Sequence, residues 1–188
     1  TFTANTSTVT FKGQASQSIL GASNTTFRNL TIDNDGSSVT VLTAASVTGV
    51  VSMEEGTLQT GDILTLVSNA SGSGSIGEIK SGATVSGEIT LQRYIPSINY
   101  IYGNWVNLGC PLTGQTIADW DDDIVTSGFT GSNYPPPYPF NNIRRYYEQA
   151  AGTMSVGYSG ATNVTNALSD TTGYFVWLQG SAQNIDVT

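Results

Sequence analysis

Asp119-Trp120-Asp121-Asp122-Asp123 is the densest charge cluster in the sequence. Four carboxylates this close repel one another unless solvent or a cation neutralises them. A hard ion such as Ca²⁺ prefers oxygen ligands, and Asp119, Asp121 and Asp123 have the Asp-x-Asp-x-Asp spacing that opens a calcium loop. The match then departs. Ile124 stands where the EF-hand loop requires Gly, and Thr130 stands where it requires the bidentate Glu. Calcium bound by Asp119, Asp121, Asp122 and Asp123 would need backbone carbonyls or distant side chains as further ligands. The other reading is a solvated acidic loop whose Asp side chains cap a turn. A glycosidase pair needs two carboxyls roughly 5–10 Å apart across a cleft. Neighbouring Asp residues on one loop do not create that geometry, and Glu148 is the remaining partner for it.

Aromatic side chains offer a second chemistry. Tyr134 and Tyr138 flank Pro135-Pro136-Pro137, a run that favours extended backbone. Displayed on a loop, they are the ligand-binding candidates, with a surface glycan as the partner. Trp105, Trp120, Tyr146, Tyr147, Tyr158 and Trp177 are further aromatics of this half. A small β-module needs large apolar side chains for its own core, and Trp105 and Trp177 lie in strand-like segments, so we expect those two inside. Cys110 is the only cysteine and follows Asn107-Leu108-Gly109. No intrachain disulfide can form, and a small buried core residue is the expectation. With no His in the sequence, a Cys-His mechanism within this chain is excluded. We read the chain as non-enzymatic.

The elements that position these residues follow from composition. Only 11% of the 188 residues are charged, against roughly 25% in typical soluble domains. The polar surface therefore comes from Thr, Ser, Asn and Gly, a set suited to pleated strands and poor for helices. Net charge is −8 with scattered basic residues, which removes the positive field that nucleic-acid binding needs. No run of about 20 apolar residues is present, so no membrane insertion is expected.

Residues 1–92 read as short strands broken by Gly, Asn and Asp. The segments are 8–11, 25–32, 38–42, 46–51, 63–67, 75–79 and 83–92. Phe27 is off the parity of Leu30 and Ile32, which implies a bend or a bulge. Apolar-Thr-apolar recurs without hairpin-type Asn-Gly turns, so a β-solenoid is preferred over a Greek-key sandwich. The expected buried set is Leu30, Ile32, Val39, Val41, Val47, Leu58, Leu64, Leu66, Ile76, Ile79, Val85, Ile89 and Leu91. Residues 93–188 hold every Trp, Tyr and Pro. Strands are expected over 104–109, 142–148 and 173–178, a helical turn or loop over 116–120, and a long loop over 127–140. This half reads as an antiparallel β-sandwich or jelly-roll-like module. Both ends of the chain are strand-like, and we read it as a mature or excised piece of a longer polypeptide.

Val9 to Gly21 followed by Thr26-Phe27-Arg28-Asn29-Leu30-Thr31-Ile32 resembles the F-x-G…Q-x-I-x-G…F-x-N-L-T-I repeats of large Bacteroidetes cell-surface proteins exported by the type IX secretion system. Gly56 to Leu66 is similar to their G-x-L-x-T-G-x-x-x-L-x-L rung. Gln92 to Pro96, Gly114 to Trp120 and Asp122 to Phe129 also look like a module of these proteins. The resemblance implies an extracellular, cell-surface location and a structural or adhesive job. The alternatives are a carbohydrate-binding accessory module and a fragment of a secreted hydrolase. It also implies O-glycosylation at Thr171 within Asp170-Thr171-Thr172. A solenoid end exposes unpaired strand edges, so neighbouring repeats or copies of the chain itself are the expected partners.

Overall fold

The computed structural model describes residues 5–97 and 103–188 of the chain. The strand-like start at residue 1 lies outside the described residues. Two compact units divide the protein: Thr1–Tyr94 with Thr188, and Ile95–Val187.

The first unit is a β-solenoid. Its strands are β1 (Thr8–Gly13), β2 (Gln17–Ile19), β3 (Thr25–Phe27), β4 (Asn29–Val41), β5 (Ala45–Val47), β6 (Val50–Gln59), β7 (Leu64–Leu66), β8 (Ser68–Asn69), β9 (Gly72–Ser73), β10 (Ser75–Ile79), β11 (Ala83–Ser86) and β12 (Ile89–Ile95). Apart from the small β8/β9 hairpin, these strands pair in parallel with the equivalent strand one coil away. Parallel pairing of segments about 20 residues apart excludes the Greek-key sandwich, whose neighbours run antiparallel. The coils are β1-β2-β3, then β4-β5, then β6-β7, then β10-β11-β12.

Residue identity repeats down each column. Val9, Leu30, Val51 and Ile76 stack, as do Phe27, Val47, Leu66 and Leu91. In β4 the alternation Leu30/Ile32 inward and Thr31/Asp33 outward follows the two-residue strand period. The bend implied by Phe27 is the corner at Arg28: Phe27 is buried in one sheet and Leu30 in the other. Outward residues form ladders of their own. Lys12 pairs with Asp33 at 2.7 Å, and Thr26 shares a hydrogen bond with Ser46 at 3.0 Å. Exposed pairs of this kind contribute little, because solvent screens them.

Two local devices hold the coils in register. Asn34 is fully buried at a corner, and its Nδ2 donates to the carbonyls of Ala15 and Ser38 at 2.9 and 3.3 Å. The next coil passes this corner at Gly56, with φ +82°, where a Cβ would sit 2.2 Å from the Asn34 carbonyl oxygen. The spacing widens at the third coil because the β8/β9 hairpin loops out, closed by a 2.6 Å hydrogen bond between the Ser68 and Ser73 hydroxyls.

The expected core holds in the middle coils and thins at the stack ends. Leu30, Ile32, Val39, Val41, Val47, Leu58, Leu64 and Leu66 are buried, joined by Ile19, Phe27, Ala45, Val51 and Met53. Ile76, Val85, Ile89 and Leu91, expected inside, are only partly buried, and Ile79 is exposed. Ile76 and Val85 lie on β10 and β11, strands paired with a coil on one side only. Val9 and Phe11 on the first coil are partly buried in the same way.

The second unit is built on an antiparallel sheet of order β13-β16-β14-β15. Its elements are β13 (Asn104–Gly109), the single turn α1 (Ala118–Asp121), β14 (Ile143–Tyr146), β15 (Tyr158–Gly160), β16 (Gly173–Leu178) and β17 (Gln183–Val187). One face carries Leu108, Ile143, Tyr174, Val176 and Leu178, all buried. Ile117, Trp120, Ile124, Phe129 and Leu168 from the turn and loops are buried with them. Trp120 meets Tyr174 edge-on at 5.6 Å, a favoured aromatic geometry.

Column position sets the expected cost of truncation. Leu58→Ala, with coils on both sides, is expected to destabilise the solenoid by about 2–5 kcal/mol. Val85→Ala, in the same column on the last coil, is expected to cost about 1 kcal/mol, since less apolar area leaves water. Urea unfolding of both variants measures the ratio, and equal losses would contradict a stack with uncovered ends.

Candidate functional site

The four Asp side chains of the acidic loop are engaged separately. Asp119 Oδ2 accepts from the Thr116 amide at 2.7 Å and from its hydroxyl at 2.9 Å, closing the turn that enters α1. Asp121 accepts from the Thr126 hydroxyl. Asp123 Oδ2 accepts from the Asp186 amide at 2.6 Å and ties β17 to the end of α1. Asp122 is exposed. Among the described residues no three His, Cys, Asp or Glu side chains converge as a metal site would require. The hydrogen bonds follow the turn-capping reading.

Burial also acts on this loop. It pushes the Asp123 carboxyl above its ordinary range, and the charges of Asp186 and Asp122 push the same way. Asp186 is pushed up by burial first and by the Asp122 charge second. Cys110 is buried, its thiol donating to the Leu112 carbonyl at 3.4 Å, and burial raises its pKa.

Tyr134 and Tyr138 are 56% and 49% exposed, with ring centroids 5.7 Å apart. The loop holds them as a displayed pair through hydrogen bonds from Tyr134 N to Thr126 O at 3.1 Å and from Gly128 N to Tyr134 O at 2.9 Å. Thr171 is exposed in the turn before β16, with its hydroxyl 3.0 Å from that of Ser169.

Trp105 and Trp177, expected in the core, are half-buried on the opposite face of the sheet from Tyr174 and Val176. Trp105 sits directly across from Trp177, and Phe175 across from Arg144. Cross-strand neighbours share a face, so these residues gather on one side with Tyr146 and Tyr158 from β14 and β15. Trp105 meets Trp177 edge-on at 5.4 Å, Phe140 lies 5.9 and 5.8 Å from the two, and Tyr158 meets Phe175 at 5.2 Å. The Arg144 guanidinium lies over Trp105 at 5.1 Å and over Phe140 at 5.7 Å, within cation–π range.

An Asn strap positions this face. Asn142 is buried. Its Nδ2 donates to Val125 O at 2.8 Å and Trp177 O at 3.3 Å, and its Oδ1 accepts from Ser127 N at 2.7 Å. Asn141 Nδ2 donates to Ala161 O at 2.7 Å, while its carbonyl accepts from Arg144 Nε at 3.0 Å. Asn141-Asn142 therefore fixes both Phe140 and Arg144. Sequence reasoning missed this face because Trp105 and Trp177 alternate with apolar residues that do reach the core. The available signal was parity: Trp177 is out of phase with Val176 and Leu178 in a strand only one of whose faces is covered.

No family model, curated protein or solved structure matches this chain.

The raised carboxyls set a pH dependence. Folded Asp186 holds its proton more tightly than the unfolded chain does, so its ionisation costs stability. That cost is absent below the ordinary carboxylate pKa near 3.9 and grows as pH rises through the folded value. Asp186→Asn is expected to melt higher than the parent at pH 7 and level with it near pH 3.5 in thermal scans. A shift independent of pH would contradict it.

Proposed function

We propose that this chain is a non-enzymatic structural or adhesive segment of an extracellular surface, in which the solenoid serves as a stackable stalk. The carrying observation is the gradient of burial along the stack. The middle coils bury Leu30, Ile32, Val51 and Leu58 completely, whereas Val9 and Phe11 on β1 and Ile76 and Val85 on β10 and β11 stay partly open. A coil end with partly uncovered apolar columns and an unpaired parallel edge is a template for another coil. A neighbouring repeat or a second copy of the chain supplies the matching columns. The acidic surface of a −8 chain, held in ordered ladders of Thr, Ser and Asn, suits a solvated exterior. The separate engagement of Asp119, Asp121 and Asp123 supports a structural job for the loop over acid–base chemistry.

Sedimentation velocity over a hundredfold concentration range tests the stacking. The expected result is concentration-dependent association that Phe11→Lys suppresses by placing a charge in the open column, with little loss of melting temperature. Monomers at every concentration would contradict self-stacking through these ends.

A further inference from the structure

We propose that the open face of the antiparallel sheet is a binding groove for an acidic glycan, with Arg144 taking the carboxylate and the surrounding rings taking the sugar. This names a ligand for the adhesive reading and rests on it. Trp105, Arg144, Tyr158 and Phe175 line an open groove of about 300 Å³, at the small end of ligand sites, which span roughly 300–1,000 Å³.

Arg144 is held in place but not consumed. Its Nε donates to Asn141 O, and its guanidinium packs over Trp105 and Phe140. The ion pairs found are Lys12–Asp33 and Lys80–Glu54, so among the described residues no carboxylate pairs with Arg144. A guanidinium fixed on one edge keeps donors on the other, spaced to grip a carboxylate bidentately. In a chain of net charge −8, such a cation selects an anion locally while the remainder of the surface repels indiscriminate polyanion binding.

The walls choose the rest of the ligand. Half-buried aromatic rings at a groove present apolar faces without closing around the occupant. Sugar rings offer axial C–H groups to such faces and hydroxyls to the solvent side. A carboxylate on the ring, as in a uronic acid, satisfies Arg144 and the rings together. An acidic peptide satisfies the cation but leaves the ring faces of Tyr158 and Phe175 unmatched.

The test is affinity electrophoresis of the full chain in gels containing polygalacturonate, neutral dextran or polyglutamate. Retardation is expected with polygalacturonate alone, weakening as salt is raised. Arg144→Gln is expected to reduce the retardation-derived affinity about tenfold or more, the loss typical of one charged hydrogen-bonded contact. Arg144→Lys should retain part of it, and Trp105→Ala should also lose it. The Arg144 variants keep the test decisive if Trp105→Ala does not fold. No retardation by polygalacturonate, equal retardation by polyglutamate, or an Arg144→Gln variant that binds like the parent would each overturn the proposal. Sedimentation of the same variants separates the two ideas, because loss of glycan binding with self-association intact leaves the stalk reading standing.

Discussion

The solenoid rests on one constraint: each inward side chain must be covered by the side chain at the same column position in the coils on either side. The parallel ladder enforces this, because register aligns equivalent residues about 4.8 Å apart. Leu30 is sealed by Val9 and Val51, and Val47 by Phe27 and Leu66. Burial is thus a property of stacking, and stability is close to a sum of nearest-neighbour terms. Corner devices serve the same end. Asn34 stitches the first coil to the second, and Gly56 lets the third pass within contact of that corner.

The second unit solves a different problem. It covers one face of a four-stranded sheet with loops and uses buried Asn, Thr and Ser side chains where a larger protein would use apolar mass. Asn142 bonds to three separate backbone groups, and Asn166 Oδ1 accepts from Thr162 and Asn163 amides. Satisfied networks of this type fix loops rigidly, since each group left unpaired would cost about 1–3 kcal/mol. The other sheet face keeps its aromatics at the surface, which is where we place recognition.

Much of this was legible in the sequence. Apolar-Thr-apolar repeats without Asn-Gly turns pointed to parallel stacking, and Phe27 marked the corner at Arg28. The strands around Trp105, Ile143 and Val176 followed from local pattern, while the segment ending at Trp120 read equally as a helical turn or a loop and is the turn α1. What was not legible depends on neighbours. Whether Ile76 or Val85 is sealed depends on a neighbour beyond its own strand, which no local window encodes. Trp105 and Trp177 were expected inside because size argues for the core, whereas sheet parity decides. The Asp-x-Asp-x-Asp spacing did not encode the partners each carboxylate takes, which are Thr116, Thr126 and the Asp186 amide.

Amide hydrogen exchange across the solenoid, followed by mass spectrometry at rising protein concentration, reads column covering strand by strand. Strong protection is expected in β4 and β6 at every concentration. Protection in β1, β10 and β11 starts weak and increases with concentration as the end columns are covered. End coils as protected as the middle ones in dilute solution, with no concentration dependence, would contradict it.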